Sequence, residues 1–320
     1  MTVLSHKHNQ DQSVSNFVKI VEVGPRDGLQ NEKTPLTLAD RKNLILDLMK
    51  TGLKNIEVGS CVSAKWVPQM ADSDLLYTQL PQDPEVQFSL LTPNLKGFES
   101  ALAVGCTEVA VFTAASESFT RKNINCTIDE SFEKFADVLA LAKANNIKVR
   151  GYVSCIVDCP YEGVIEPQKV AYVAKRLLDM GCYEVSLGET IGTATPDRVE
   201  KVWDACLAQM DKQYLAGHFH NTYGMAIANI YQSLTQGIRI FDSSIAGLGG
   251  CPYAKGASGN VSTEDLFYLL SKMGYETGVD VDALMLASQN IGRVLQRQNP
   301  SNYANAYWQT RGTEDFRPVK

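Results

Sequence analysis

The sequence predicts an α/β fold, a (β/α)8 TIM barrel, in which eight parallel strands alternate with helices. Eight short β-branched runs alternate with amphipathic helical patterns, and the roughly 260 residues that contain them suit eight such units. Most runs are nearly continuous in apolar residues, as in parallel strands that are buried on both faces. An open doubly wound sheet is the alternative, but no G-x-G-x-x-G follows the first run. The predicted strands cover residues 17–23, 54–60, 86–92, 107–113, 148–154, 183–189, 214–220 and 239–245.

Helical patterns separate the predicted strands. They cover residues 38–52, 94–105, 129–146, 166–181, 196–210, 224–237 and 264–274, with a weaker pattern at 72–80. Five patterns end in glycine, which adopts the left-handed conformation that commonly follows a helix. These glycines are Gly52, Gly105, Gly181, Gly237 and Gly274. We expect Asp129 and Ser131 to cap a helix and Pro167 and Pro196 to lie in first turns.

The chain divides into three parts. We expect a polar N-terminal tail at 1–16, the barrel at 17–275 and a C-terminal helical extension at 276–320. The extension begins with a further helical pattern at 279–298, and its apolar face and that of the preceding helix predict a homodimer contact. The final stretch, 299–320, is polar with scattered aromatic residues, which is compatible with a lid, an oligomer contact or a disordered segment.

Composition excludes several classes of protein. The chain has 30 Lys+Arg against 36 Asp+Glu, a net charge of −6, so we expect no nucleic-acid partner. No apolar run reaches the ~18 residues of a membrane span. The N-terminal residues resemble neither a signal peptide nor a transit peptide, which favours the cytoplasm. The eight cysteines are then reduced thiols, and we interpret Cys155 and Cys159 as structural.

Only four histidines are present, which narrows any site that uses them. His6 and His8 lie in the polar tail, where solvated side chains are expected. His218 and His220 end the seventh predicted strand, and alternation along a strand puts both on one face with Phe219 opposite. A lone core histidine usually only makes hydrogen bonds, whereas a pair on one face at a barrel mouth favours a metal-ligand role.

Charged residues follow the first two predicted strands. Arg26 and Asp27 end the first, where arginine can stabilise an oxyanion and aspartate can bind a hard metal or act as a base. A surface ion pair in a turn is the alternative. Glu57 ends the second strand, and a carboxylate in an apolar strand needs a partner, for which Arg26 is placed suitably. Glu189, at the end of the sixth strand, is a similar candidate.

A glycine-rich segment, 246–260, follows the eighth predicted strand and contains five glycines. Its central Cys251 can act as an acid or base if the segment closes over the site. A flexible surface loop with an incidental thiol is the alternative. Asn260, at its end, can offer an amide oxygen to a metal, and we expect the candidate ligands to meet at the barrel mouth. This set of Asp27, His218, His220 and Asn260 suits Mg²⁺ or Mn²⁺, although two histidines and a carboxylate also describe non-haem iron oxygenases.

Three motifs carry a family resemblance. They are VEVGPRDGLQNE after the first strand, GHFHNTYG after the seventh and SSIAGLGGCPYAKGASGN after the eighth. With their surroundings, from about Val18 to Gly274, they resemble the 3-hydroxy-3-methylglutaryl-CoA lyases of the DRE-TIM metallolyase superfamily. The resemblance implies cleavage of that thioester to acetyl-CoA and acetoacetate.

The resemblance also implies residue roles. Asp27, His218, His220 and Asn260 would bind the divalent metal. Arg26 would stabilise the thioester enolate, Cys251 would lie on a mobile catalytic loop and Glu57 would order the site. Proton transfer is left open among Asp27, His218 and Cys251. We assign substrate contacts to Arg26, Gln30, Glu189 and Asn221, and possible CoA phosphate contacts to Lys65, Lys96, Arg121 and Lys122.

Two departures leave the substrate open. The family commonly has aspartate where this chain has Glu189, and H-x-H-D where it has Asn221. A related 3-hydroxy-3-alkylglutaryl-CoA or another 3-hydroxy acid is therefore an alternative substrate. Three further alternatives are an acyl-CoA condensing enzyme of the same superfamily, an iron oxygenase and a non-catalytic CoA-binding barrel. Condensing enzymes usually carry a regulatory domain after the barrel, whereas only about 45 residues follow the predicted barrel here.

Overall fold

Eight parallel strands close into a barrel in a computed structural model, which describes residues 16–250 and 259–311. Each strand pairs with its neighbours in chain order, and β8 returns to β1 in the register Lys19↔Ile240 to Glu22↔Ser243. The closed order confirms the predicted barrel and excludes the doubly wound sheet. The strands are β1 (Lys19–Glu22), β2 (Asn55–Ser60), β3 (Gln87–Leu91), β4 (Glu108–Ala114), β5 (Lys148–Ser154), β6 (Glu184–Glu189), β7 (Leu215–Phe219) and β8 (Ile240–Ser243).

Helices surround the barrel and continue into the C-terminal extension. They are α1 (Leu38–Lys50), α2 (Ser73–Thr78), α3 (Leu95–Ala103), α4 (Glu117–Ile124), α5 (Ile128–Ala144), α6 (Pro167–Met180), α7 (Pro196–Leu207), α8 (Ala226–Thr235), α9 (Thr263–Lys272), α10 (Val281–Leu295) and α11 (Asn302–Arg311). Every predicted helical pattern overlaps one of them, and α5 and α9 each begin one residue before their predicted patterns. Helices α4 and α11 and a hairpin of Asp158–Cys159 with Gly163–Val164 were not predicted.

Helix ends follow local chemistry. All five predicted glycines have positive φ, from +74° at Gly105 to +114° at Gly181, and Pro167 and Pro196 begin α6 and α7. The expected cap of α5 is wrong. Thr127 is the cap: its hydroxyl accepts the Glu130 N–H at 3.0 Å, and the Glu130 carboxylate accepts the Thr127 N–H at 2.7 Å. This reciprocal pair satisfies two N–H groups, which neither Asp129 nor Ser131 does.

The apolar core lies between the sheet and the helices, where Phe98, Phe135 and Trp203 are fully buried. The barrel interior instead carries charge, since Arg150 donates to Glu184 at 2.6 Å and to Asp242 at 2.7 Å. The two cysteines interpreted as structural, Cys155 and Cys159, are buried, and all seven described cysteines are free thiols.

The C-terminal extension packs against its own barrel. Helix α10 lies on α1, and the apolar side chains of Leu266 on α9 and of Leu284 and Ile291 on α10 are buried within this chain. The inward apolar faces of α9 and α10 are therefore covered, whereas Leu286 and Val294 on α10 remain exposed. Within the described residues, no helix combines the length and the apolar character that a membrane crossing requires. The tail residues 1–15, including His6 and His8, lie outside the described residues.

Candidate active site

Arg26 and Asp27 lie in a single turn of π-helix, Gly24–Gly28, directly after β1. Such turns are rare in proteins as a whole, but those that occur are often found at functional sites. The turn packs closely against the segment that follows β8: a Cβ atom on Gly28 would lie 2.6 Å from Ser244 Oγ and 2.7 Å from Leu248 Cβ. Glycine is therefore required there, and the backbones after β1 and β8 meet at the barrel mouth.

Arg26 is held as a buried cation. Its Nε donates to Glu57, as the sequence suggested. Its Nη1 donates to Asp27 Oδ1 at 2.6 Å, and its guanidinium lies 5.4 Å from the ring centroid of Tyr152. Burial opposes the charge, but Glu57 and Asp27 hold the pKa of Arg26 well above its usual value. Glu57 Oε1 is buried without a hydrogen-bond partner among the described residues, and burial raises the pKa of Glu57.

Asp27, His218 and His220 form a candidate metal centre. One ligand atom from each lies within 4.8 Å of the others. The imidazole centroids are 5.3 Å apart, as expected for a pair on one strand face. Burial opposes ionisation of Asp27, but Arg26 and the two imidazoles lower its pKa to about 2. Burial and the charge of His218 lower the pKa of His220 to about 4.

An ionised Asp27 and a neutral His220 suit a divalent cation, because metals bind ionised carboxylates and neutral imidazoles. The buried Nδ1 of His220 also lacks a hydrogen-bond partner among the described residues, which leaves this nitrogen available to a ligand. Asn260 lies in the same cluster. Its Nδ2 donates to Asp27 Oδ2 at 2.8 Å and to Leu248 O at 3.2 Å, so rotation of the amide would be needed for its oxygen to bind a metal.

Sequence analysis missed the residues that orient His218. Asp242 Oδ2 lies 3.2 Å from His218 Nδ1 and accepts from Ser186 Oγ at 2.7 Å. Burial opposes its ionisation, but Arg150 and His218 hold the pKa of Asp242 far below its usual value. Asp242 in turn raises the pKa of His218 against the effect of burial. A sequence signal for these residues was present. Arg150 and Tyr152 are polar residues two positions apart in β5, and the charged Asp242 interrupts an apolar run.

A cavity of about 230 Å³ opens at this end of the barrel. It adjoins a groove of about 960 Å³, with which it shares Gln30, Leu91, Phe112 and Asn123. Lys96 and Lys122 line the groove, whereas Lys65 and Arg121 do not. The predicted site residues among those lining the cavity are Arg26, Asp27, Gln30, His218 and His220.

Two of the predicted substrate contacts do not line this cavity among the described residues. Glu189 is fully buried and accepts the Thr193 N–H at 3.2 Å, and burial raises its pKa to about 7. Asn221 accepts the Ala226 N–H at 3.3 Å, at the start of α8. Asn221 instead lines a separate groove beside α9 and α11, and the role of both residues toward substrate stays a prediction. Cys251 lies outside the described residues.

The fold and site together define a barrel enzyme of the metal-assisted class, since a carboxylate, two imidazoles and a fixed cation converge at the carboxyl ends of the strands. The family model described as HMGL-like matches residues 17–291. The chain therefore belongs to the HMGL-like family.

Named relatives agree with this assignment. The chain is 56% identical over 284 residues to a hydroxymethylglutaryl-CoA lyase of Pseudomonas mevalonii, covering 89% of this chain and 94% of that one. It is 55% identical over 289 residues to a 3-hydroxy-3-isohexenylglutaryl-CoA/hydroxy-methylglutaryl-CoA lyase of Pseudomonas aeruginosa, covering 90% and 96%. A crystal structure of hydroxymethylglutaryl-CoA lyase from Pseudomonas aeruginosa superposes with a TM-score of 0.91 and 54% identity, covering 92% of this chain and 99% of that one.

Proposed function

We propose that this protein is a divalent-metal-dependent lyase that cleaves 3-hydroxy-3-methylglutaryl-CoA to acetyl-CoA and acetoacetate. The observation that carries the proposal is the meeting of Arg26 with the Asp27, His218 and His220 cluster in one cavity beside a long groove. Membership of the HMGL-like family and the names of its relatives support the substrate.

The reaction removes a proton from the substrate hydroxyl, breaks the adjacent carbon–carbon bond and leaves a thioester enolate. Arg26 faces the cavity and suits the enolate oxygen, because a held cation needs no reorganisation when charge develops. Asp27 or His218 takes the hydroxyl proton, and His218 or Cys251 returns a proton to the carbon. Since Asp242 binds Nδ1 of His218, its Nε2 is the atom left for proton transfer or metal binding.

Asp27, His218 and His220, with Asn260 after amide rotation, would hold Mg²⁺ or Mn²⁺, which accept mixed oxygen and nitrogen ligands. When bound, the cation would act as a Lewis acid that lowers the pKa of the substrate hydroxyl. The coenzyme A portion would lie in the groove that Lys96 and Lys122 line, and their ammonium groups would contact its phosphates.

A longer 3-alkyl substrate is the second candidate. One relative carries isohexenylglutaryl-CoA in its name. The cavity wall of this chain includes the apolar side chains of Leu91, Phe112, Phe119 and Val153, which suit an alkyl branch.

Product analysis tests the function. The purified protein is incubated with 3-hydroxy-3-methylglutaryl-CoA, a longer 3-alkyl analogue or an acyl-CoA with a keto acid, and products are identified by mass spectrometry. Acetoacetate and acetyl-CoA from the first substrate are expected. Condensation alone, or bound thioester without turnover, contradicts the proposal.

The metal role is tested by binding as well as by activity. Chelator should abolish cleavage, and Mg²⁺ or Mn²⁺ should restore it. His220→Gln should weaken Mn²⁺ binding, measured by calorimetry, by more than the about 10- to 100-fold typical of losing a group that only supports a ligand. The matched variant His8→Gln should bind like wild type. Full activity in excess chelator excludes the metal, and oxygen consumption with Fe²⁺ would indicate an oxygenase instead.

We also propose a cytoplasmic homodimer. The support is the exposed apolar surface of this region: Leu286 and Val294 on α10, and an aromatic groove between α9 and α11 lined by Tyr268, Tyr303 and Tyr307. Tyr268 is 45% exposed. Light scattering should give twice the chain mass of 35.2 kDa, and Tyr268→Glu should halve it; a wild-type monomer contradicts the dimer.

A further inference from the structure

The segment that follows β8 contains a residue with an unfavourable backbone conformation. Ala246 has φ +53° and ψ +24°, a region that side chains other than glycine rarely adopt. The Glu264 carboxylate accepts its N–H at 3.0 and 3.1 Å. Its carbonyl oxygen accepts from Arg297 Nη2 at 3.4 Å. Two charged side chains, those of Glu264 and Arg297, therefore bind the backbone of Ala246, where this segment begins.

Arg297 also reaches the segment after β1. Its Nη2 donates to Gly247 O at 3.2 Å, while its Nη1 forms an ion pair with Glu32. Glu32 follows the turn that carries Arg26 and Asp27, in the same loop. One guanidinium thus joins the backbone after β8 to the loop after β1. Arginine suits this task, because its planar fork makes several directed hydrogen bonds at once.

The C-terminal extension delivers Arg297 to this position. Helix α10 ends at Leu295 and is capped by Gln296, whose φ is +51°. The Arg297 N–H then donates to Gly292 O at 3.2 Å. Asn299 donates to Glu264 at 3.2 Å and to Ser288 Oγ at 2.6 Å. The extension therefore positions both Glu264 and Arg297, which bind Ala246. None of the described residues of the extension lines the cavity.

Hydrogen bonds link the beginning of this segment to the candidate site. The Gly259 N–H donates to Gly249 O at 3.3 Å, which joins the two ends of the glycine-rich segment. Asn260 then contacts Leu248 and Asp27 through the same amide nitrogen. A shift of residues 246–249 would move Asn260 and, through it, the carboxylate of Asp27.

We propose that Arg297 is a positioning residue, which holds the base of the glycine-rich segment 246–260 against the loop that carries Arg26 and Asp27. The inference rests on the proposed function, because it concerns the geometry of that same site. It assigns the C-terminal extension a role in catalysis through alignment, with no contact to substrate.

The test compares Arg297→Met with Arg293→Met, an exposed arginine in the last turn of the same helix. Arg297→Met should lower kcat by about 10- to 100-fold, because small misplacements of reacting groups are costly, with KM and Tm little changed. Arg297→Lys should recover part of the rate. Glu32→Gln should lower kcat less, and its effect should not add to that of Arg297→Met.

A second readout does not depend on turnover. Hydrogen exchange at the backbone amides of Ala246 and Leu248, which donate to Glu264 and to Ile245 O, should accelerate in Arg297→Met and stay at the wild-type rate in Arg293→Met. Equal kcat and equal exchange in the two variants overturn the inference and leave the proposed function standing. If wild type does not cleave the thioester, the proposed function fails, and the exchange comparison alone decides the role of Arg297. If Arg297→Met does not fold, Glu32→Gln decides it by both readouts, and wild-type behaviour there overturns the inference.

Discussion

Arg26 keeps its charge inside the barrel because carboxylates and an aromatic face surround it. Glu57 binds its Nε, Asp27 binds its Nη1 and the Tyr152 ring lies beside it. A buried charge is costly unless it is paired in this way. The arrangement holds the guanidinium of Arg26 at the cavity, where the oxyanion of the reaction would form.

Arg26→Gln should lower kcat by a factor of about 100 to 1,000, the loss typical of a removed oxyanion donor. Glu57 would then lose its cation and take up a proton, so some stability should also be lost. The double variant Arg26→Gln/Glu57→Gln should recover stability without recovering activity. Steady-state kinetics and thermal unfolding check both results, and a single variant near the wild-type rate removes Arg26 from the mechanism.

The residues in compact motifs at strand ends were predictable from the sequence. Arg26 and Asp27 are adjacent, and His218 and His220 share a strand face, so local geometry alone brings each pair together. Asp242 was missed because a strand pattern does not tell which side chains point into the barrel. The contact of Asp242 with Arg150 exists only after β5 and β8 have joined the same ring.

Helix ends show which local signals are decisive at the scale of the element. Gly52 follows α1 and Gly181 follows α6, both with positive φ. A Cβ atom on Gly52 would lie 2.3 Å from Gly278 O, whereas one on Gly181 would meet no atom within 4 Å. The same sequence signal therefore has different consequences once the neighbouring loop is in place.

Gly181→Ala should lower the free energy of unfolding by about 1 kcal/mol, the cost of left-handed backbone for alanine. Gly105→Ala is the matched control and should lose a similar amount, because its Cβ atom also meets open space. Gly52→Ala should lose clearly more, since a backbone oxygen must move. Urea unfolding measures all three, and equal losses at Gly52 and Gly181 would contradict the assigned clash.

Helices α4 and α11 were missed for a physical reason. Each buries only two side chains, Phe119 and Thr120 in α4 and Ala304 and Tyr307 in α11. A helical period needs several apolar positions before it stands out from the sequence. Packing against the completed barrel stabilises these short helices, and that packing is not encoded locally. The final stretch, expected to be a lid, a contact or disordered, is helical from 302 to 311.

Barrel closure depends on a buried carboxylate at the seam between β1 and β8. Glu22 accepts the N–H groups of Gly24 and Ile245, both at 2.8 Å, and the Thr263 hydroxyl at 2.6 Å. It thus ties β1 to the segment after β8 and to α9. Burial raises its pKa to about 8, although these hydrogen bonds oppose the shift. The folded protein therefore keeps a proton that the unfolded chain loses near pH 4.5.

The sign of the pH dependence follows from that difference. Between about pH 4.5 and pH 8 the folded state binds more protons at Glu22 than the unfolded state does. Its contribution to stability therefore falls as pH rises, by up to about 1.4 kcal/mol per pH unit. Glu22→Gln, which cannot titrate, should be less sensitive to pH. Urea unfolding at pH 6 and pH 8 compares the two, and identical slopes would exclude Glu22 as the source.

The sequence by itself determined the order of strands and helices, the residue types at the strand ends and the family to which the motifs belong. These follow from periodicity and from short motifs, which need no distant partner. Tertiary structure decided which groups meet: Asp27 contacts Asn260 across 233 positions and Arg297 contacts Glu32 across 265. It also buried Glu189 fully, where its carboxylate accepts the Thr193 N–H. Such contacts form only when the ring closes and the extension packs on it, because closure brings the first and last parts of the chain to one mouth.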